Sequence, residues 1–318
     1  MARAIESIPL HEIQTARERI AGIAMRTPLV RLEVDDAPAE IYLKLENLQP
    51  IGSFKLRGAG NAMELAGRDR LANGVYTASA GNMAQGVAWN ARRMRIPCHV
   101  VVPDHAPKAK LDAIQRLDGT AIPVPFEEWW KVIVTHHYPG LEGLFIHPVC
   151  EPAVIAGNGT IGLEILEDLP DVDSVLVPFG GGGLSCGIAT AVRALKADTR
   201  VYGCEVDTAA PLAASLASGV PREIEYTPSF VDGIGGKSVL AEMWPLVSRL
   251  LEGSLVSSLA EVASAVRLLA VRNHVIAEGA GATSVAAAMS GKAGNGKVVC
   301  VISGGNIDPP KLAEILTT

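Results

Sequence analysis

Short apolar runs separated by amphipathic stretches recur along almost the whole chain. Ile41-Tyr42-Leu43-Lys44-Leu45 alternates apolar and polar positions and predicts a strand. The runs at 98–103 and 174–178 are short, largely apolar and each ends in proline, the pattern of strands buried on both faces of a parallel sheet. Residues 201–206 and 297–302 repeat it, and Val75-Tyr76-Thr77 adds a shorter strand. Between these runs the spacing predicts helices at 83–94, 108–117, 160–167, 184–196, 260–273 and 309–316. Such alternation means βα units, hence parallel sheets covered by helices on both faces. No low-complexity linker and no internal repeat interrupts it.

Four glycine- or serine-rich motifs sit on this pattern at long intervals. They are Gly52-Ser53-Phe54-Lys55-Leu56-Arg57-Gly58, Ser79-Ala80-Gly81-Asn82-Met83-Ala84-Gln85-Gly86, Gly180-Gly181-Gly182-Gly183-Leu184 and Ser303-Gly304-Gly305-Asn306. A lysine amine is a poor nucleophile unless it is desolvated or engaged with a carbonyl carbon. A glycine run between a strand and a helix presents backbone N–H groups that suit a phosphate. Glycine runs also serve as plain close-packed turns, and Ser79 or Asn82 would suit an ordinary helix cap. Taken together, a lysine for an aldehyde and a loop for a phosphate describe one small molecule, pyridoxal 5'-phosphate (PLP).

Bulk composition narrows the partners. The 318 residues are 48% hydrophobic, enough for a substantial core, and 28 Lys+Arg against 34 Asp+Glu give a net charge of −6. That balance and the 4% aromatic content argue against nucleic-acid binding. The uncharged stretch 174–192 is long enough to span a bilayer, but Pro178 and four glycines would break a helix there. Arg3, Glu6 and Glu12 leave no apolar signal region. The cysteines at 98, 150, 186, 204 and 300 form no Cys-x-x-Cys and read as buried apolar residues of a reducing cytoplasm. His136-His137 point in different directions and make a poor metal pair. One of Trp129 and Trp130 is expected to line a cleft.

The order of the four motifs resembles the fold-type II PLP enzymes, and within them the threonine/serine dehydratase (ammonia-lyase) and serine racemase family. The resemblance runs from Thr27-Pro28-Leu29 to Asn306. It implies an α/β fold of two open, mostly parallel twisted sheets (tryptophan synthase β-like), with a small domain at 74–150 inserted into a large one at 1–73 and 151–318. It implies that Lys55 bonds the cofactor aldehyde and later serves as base, helped by a desolvated, cationic site. Phe54, Asn82, Gly180, Gly181, Gly182, Gly183, Leu184 and Ser303 would surround the cofactor, Asn82 at its phenolic oxygen and Ser303 at its ring nitrogen. A hydroxyl there makes a weaker electron sink than a carboxylate, favouring prompt β-elimination. Ser79, Ala80, Gly81, Asn82 and Met83 would hold the carboxylate of an amino-acid substrate.

The family pattern is not followed everywhere. Position 80 is alanine, as in threonine dehydratases, where the racemases place a serine. Met83 stands where many relatives have histidine, and 125–131 is bulkier than usual, with room for a β-substituent larger than methyl. Glu205 matches one carboxylate of a divalent-cation site, but the second aligns near Pro211, with Asp207 unmatched, so a cation stays open. The chain ends soon after Asn306, without the regulatory domain of the biosynthetic dehydratases. The implied activity is loss of water from an L-β-hydroxy-α-amino acid such as threonine, serine, 3-hydroxyaspartate or phenylserine, in a homodimer or higher homo-oligomer. Racemisation is disfavoured by Ala80. Cysteine-synthase-type β-replacement is disfavoured by a glycine rather than threonine phosphate loop. A non-enzymatic PLP-binding or ammonium-sensing protein is the remaining alternative.

Overall fold

The computed structural model describes residues 4–318; Arg3 of the charged N-terminus lies outside them. In chain order it contains α1 (Leu10–Arg19), β1 (Leu29–Arg31), β2 (Glu40–Lys44), α2 (Lys55–Arg70), β3 (Val75–Ala78), α3 (Asn82–Met94) and β4 (Cys98–Pro103). There follow α4 (Lys108–Arg116), β5 (Thr120–Val124), α5 (Phe126–Thr135), β6 (Leu144–Phe145), α6 (Pro152–Asp168), β7 (Ser174–Pro178) and α7 (Gly183–Leu195). The chain closes with β8 (Arg200–Val206), α8 (Pro211–Ser218), α9 (Trp244–Leu250), β9 (Gly253–Ser257), α10 (Leu259–Arg272), α11 (Gly279–Met289), β10 (Lys297–Val301) and α12 (Pro309–Thr317).

Two sheets result. One has six strands in the order β1-β2-β10-β7-β8-β9, parallel except for the β1–β2 pair; the other has four parallel strands, β5-β4-β3-β6. Both are apolar on both faces, which is why their strands read as continuous apolar runs. Val175 and Val177 of β7 enter one core and Leu176 the other, while in the small sheet Val100 and Val102 face away from Val101. The four-stranded sheet lies within 75–145, yet Ala59, Ala62 and Met63 of α2 belong to its core. Among the described residues no helix is long and apolar enough to cross a membrane. All five cysteines are buried and unpaired.

One expected helix needs correction. The segment expected to turn helical at 160 is already helical from Pro152. Its glycine-rich first half looks like loop in sequence but is a contact face. A Cβ on Gly157 would stand 2.6 Å from the Arg57 carbonyl oxygen, and one on Gly159 would stand 2.9 Å from that of Gly187. The helices α2 and α7 therefore approach α6 closely, and packing overrides the low helix propensity of glycine.

A second correction concerns Arg57. The cationic site expected around Lys55 does not draw on the basic residue of the same motif, which is 2% exposed in a charge network. Its guanidinium donates to both Glu46 oxygens at 2.8 Å and to the Glu164 oxygens at 2.6 and 3.0 Å. Fully buried Lys44 pairs with Glu164 at 2.6 Å and donates to the Thr27 carbonyl at 2.6 Å. Two cations face two carboxylates, so the set is balanced. Burial opposes ionisation of Glu46, but the charge and hydrogen bonds of Arg57 still hold its carboxyl below the ordinary value. The network ties the first turn of α2, and with it Lys55, to β2 and α6.

Candidate active site

The carboxyl ends of the strands in both sheets open onto one cleft of about 440 Å³. Lys55, Phe54, Ser79, Ala80, Gly81, Asn82, Met83, Gly180, Gly181, Gly182, Gly183, Leu184 and Ser303 all line it. Residues from opposite ends of the chain meet here through a bridge between Ser53 and Gly304 and a hydrogen bond from the Phe54 N–H to the Ser303 carbonyl at 3.0 Å.

Lys55 is the first residue of α2, and its Nζ donates to the Pro148 carbonyl at 2.9 Å. Burial pushes its amine down to about 8, against the opposing pull of the Glu278 carboxylate. The amine is therefore far closer to neutrality than an exposed lysine, and a carboxylate rather than a cation is its charged neighbour. Gly86 lets α3 pass this backbone, since a Cβ there would stand 3.0 Å from the Lys55 carbonyl oxygen.

Two helix N-termini point into the cleft without side-chain caps. In α7, Gly182 adopts φ +95°, and Cys186 is the first residue to bond back, to the Gly182 carbonyl at 2.8 Å. The preceding N–H groups are available to an anion. A Cβ on Gly181 would meet Val149 Cγ2 at 2.6 Å, so a side chain here has no room. In α3, Gly81 is the uncapped N-cap and its N–H donates to Ser79 Oγ at 3.2 Å. The Met83 side chain is buried in the small core, leaving its backbone for the cleft. Ser303 lies two residues beyond β10 and lines the cleft. Trp129 also lines the cleft, whereas Trp130 is 38% exposed at the surface.

One cleft group, Glu278, and one residue behind the cleft wall, His147, were missed in the sequence. Glu278, just before α11, accepts from Asn82 Nδ2 at 2.8 Å, and burial together with the Asp232 charge pushes its carboxyl up to about 7. Asn82 Oδ1 in turn accepts from Asn306 Nδ2 at 2.7 Å. A carboxylate followed by Gly279-Ala280-Gly281-Ala282 was the available signal, because such small residues mark a helix packed against other backbone. His147 is 2% exposed; its Nδ1 accepts from the N–H groups of Val149 and Cys150 at 2.9 and 2.7 Å, and Nε2 faces the Ile133 carbonyl at 3.1 Å. Burial, reinforced by His136 and Lys55, pushes it down to about 3, so it is neutral. It sets the turn that carries Pro148 and Val149.

Glu205 is not in the cleft. Its carboxylate accepts from the N–H groups of Leu212 and Ala213 and from Ser254 Oγ at 2.6–2.9 Å, capping α8. Both its oxygens accept hydrogen bonds here. Among the described residues no group of three or more His, Cys, Asp or Glu side chains stands close enough to hold a metal ion.

Residues 20–304 match the family model described as pyridoxal-phosphate dependent enzyme. The chain belongs to this family. It is 38% identical over 314 residues to the L-threonine ammonia-lyase of Thermotoga maritima, covering 97% of this chain and 78% of that protein. It is also 38% identical over 317 residues to the catabolic L-threonine dehydratase TdcB of Escherichia coli K12, covering 97% and 96%. Among solved structures, threonine deaminase isoform 2 from Solanum lycopersicum superposes with a TM-score of 0.89 at 30% identity, covering 100% of this chain and 90% of that one. Maize serine racemase gives 0.87 at 30% identity, covering 100% and 98%. The fold is therefore fold-type II, and the protein is a PLP-dependent lyase. The cleft fits that cofactor: uncapped N–H groups in a cradle closed to side chains suit its phosphate, and a near-neutral buried amine suits its aldehyde.

Proposed function

We propose that this PLP-dependent lyase removes the elements of water from an L-β-hydroxy-α-amino acid of the threonine/serine type, releasing a 2-oxo acid and ammonia. The single observation that carries this reading is the convergence on one cleft of a near-neutral Lys55 and two uncapped helix N-termini. The relatives named threonine ammonia-lyase and dehydratase support the substrate class.

In this reading the N–H groups of Gly180 to Gly183 and the start of α7 hold the cofactor phosphate. Lys55 Nζ would hold the aldehyde carbon until the substrate amine displaces it, Ser303 Oγ would face the ring nitrogen, and Asn82 Nδ2 would use its second hydrogen for the phenolic oxygen. Phe54 and Leu184 wall the ring. Pyridoxal phosphate, when bound, supplies the electron sink that lets an α-proton leave. Ser79 Oγ and the first N–H groups of α3 hold the substrate α-carboxylate and so aim the α-hydrogen at Lys55. Lys55 accepts that proton at Nζ, which needs a neutral amine. As the β C–O bond breaks, hydroxide leaves, and together with the α-proton taken up at Lys55 it makes up the one water lost; the released enamine acid then tautomerises and takes up water to give 2-oxo acid and ammonia. Ala80 offers only a methyl group beside Ser79, so no hydroxyl at that position exchanges protons on the face opposite Lys55. That argues for elimination over racemisation.

The test is partial turnover of L-threonine in deuterated water, followed by 2-oxo acid assay and chiral chromatography of the remaining substrate. Oxo acid with negligible deuterated D-isomer is expected. Rapid accumulation of deuterated D-amino acid would replace this reading with a racemase. Ala80→Ser should raise D-isomer formation.

A further inference from the structure

The cleft has a second, apolar half that neither PLP nor a small β-substituent accounts for. The chain holds only five Phe, four Trp and five Tyr, yet Phe54, Phe126, Trp129 and Tyr226 all line this one cleft. Phe54 belongs beside Lys55, its ring centroid 5.2 Å from Nζ. Phe126 and Trp129 form a shelf at the other end, with ring centroids 5.5 Å apart, and the His105 ring lies 6.3 Å from Phe126. Pro103, Ala106 and Pro107 extend the shelf. Phe126 is 41% exposed and belongs to no core cluster, so folding does not explain its presence.

Topology sets the reach of this shelf. The Ser79–Met83 turn follows β3, the Pro103–Pro107 segment follows β4, and Phe126 and Trp129 follow β5, all at the same carboxyl edge of neighbouring parallel strands. Two strand spacings place β5 about 10 Å from β3. A substrate held by its α-carboxylate after β3 and extending along this edge meets the shelf with a ring on its β-carbon, whereas a methyl group falls short. Charge disfavours the other large candidate: a β-carboxylate would have to draw Lys110, the lysine at this end, away from Asp232, with which it pairs at 2.6 Å.

We infer that the preferred substrate is a β-aryl-β-hydroxy-α-amino acid, its ring packed on the shelf that Phe126 and Trp129 form together. This rests on the dehydratase reading above and specifies its substrate. Offset or tilted ring packing of the kind already present between Phe126 and Trp129 would extend to the substrate ring.

The experiment compares kcat/KM of the PLP-loaded enzyme for L-threo-β-phenylserine, L-threonine, L-serine and L-threo-3-hydroxyaspartate. It is paired with calorimetric binding of L-phenylalanine and L-alanine, which lack the β-hydroxyl and undergo no loss of water. Phenylserine should exceed threonine by about tenfold or more, the range an apolar pocket gains from a larger apolar group. L-Phenylalanine should bind more tightly than L-alanine by a similar factor. Phe126→Ala, at an exposed position outside the core, should reduce both ratios about tenfold through KM rather than kcat. Turnover of threonine or serine without preference for phenylserine would overturn the inference and leave the dehydratase reading standing. Preference for 3-hydroxyaspartate would also overturn it, by showing that Lys110 leaves Asp232. If no hydroxy-amino acid is turned over, the dehydratase reading falls, and the L-phenylalanine to L-alanine binding ratio decides the shelf alone.

Discussion

At the scale of single residues, the protein tunes groups by burial more than by charge. Lys55 is brought down to about 8 from an ordinary 10.5, with Glu278 opposing the shift. Labelling of the cofactor-free protein by an amine reagent should therefore show Lys55 reacting with a midpoint near 8, well below surface lysines. Glu278→Gln removes the opposing charge and should move that midpoint lower still. The same shift links to stability. The unfolded chain binds the Lys55 proton up to 10.5 and the folded protein loses it near 8, so Lys55 makes the fold more stable as pH rises through that window. Lys55→Ala should lower turnover by several orders of magnitude, because the cofactor linkage and the α-proton base disappear together. Borohydride reduction and peptide mapping should find PLP on Lys55; a fully active Lys55→Ala protein would refute the assignment.

At the scale of elements, the cleft is shaped by turns whose conformation is fixed elsewhere. The His147–Val149 turn supplies the Pro148 carbonyl to Lys55 and the Val149 side chain against Gly181. His147→Ala leaves the Val149 and Cys150 N–H groups without their acceptor, at about 1–3 kcal/mol for each buried group. The expected outcome is weaker PLP retention in equilibrium titration and a Lys55 labelling midpoint displaced toward 10.5 as water enters. His147→Gln, whose side-chain oxygen can accept, should recover part of both. Unchanged labelling alongside lost stability would give His147 a purely architectural role. On the opposite wall, Gly181→Asp introduces a side chain where Val149 already stands and a negative charge among the N–H donors. PLP affinity should fall at least about tenfold, equivalent to roughly 1.4 kcal/mol.

At the scale of the whole molecule, the Arg57–Glu46–Glu164–Lys44 network joins β2, α2 and α6 beneath the cleft. Arg57→Met strands two buried carboxylates with one lysine, and a urea titration should show a loss of about 3–5 kcal/mol. The sequence by itself determined the parallel α/β class and the places of its main strands along the chain, because residues buried on both faces leave apolar runs. It also marked the lysine, glycine and serine motifs, because tight turns and close backbone approach restrict residue type locally at those points. It did not determine the fates of Arg57, Glu205 and Glu278, three charged residues that look alike as letters in a chain. The tertiary structure sent Arg57 into a balanced ionic core, Glu205 to a helix N-terminus and Glu278 to the cleft, up to about 7. Nor did sequence place Phe126 on the same edge as Ser79. Charge state and side-chain company depend on burial and on neighbours distant along the chain, and those are fixed only when the two sheets and their helices pack.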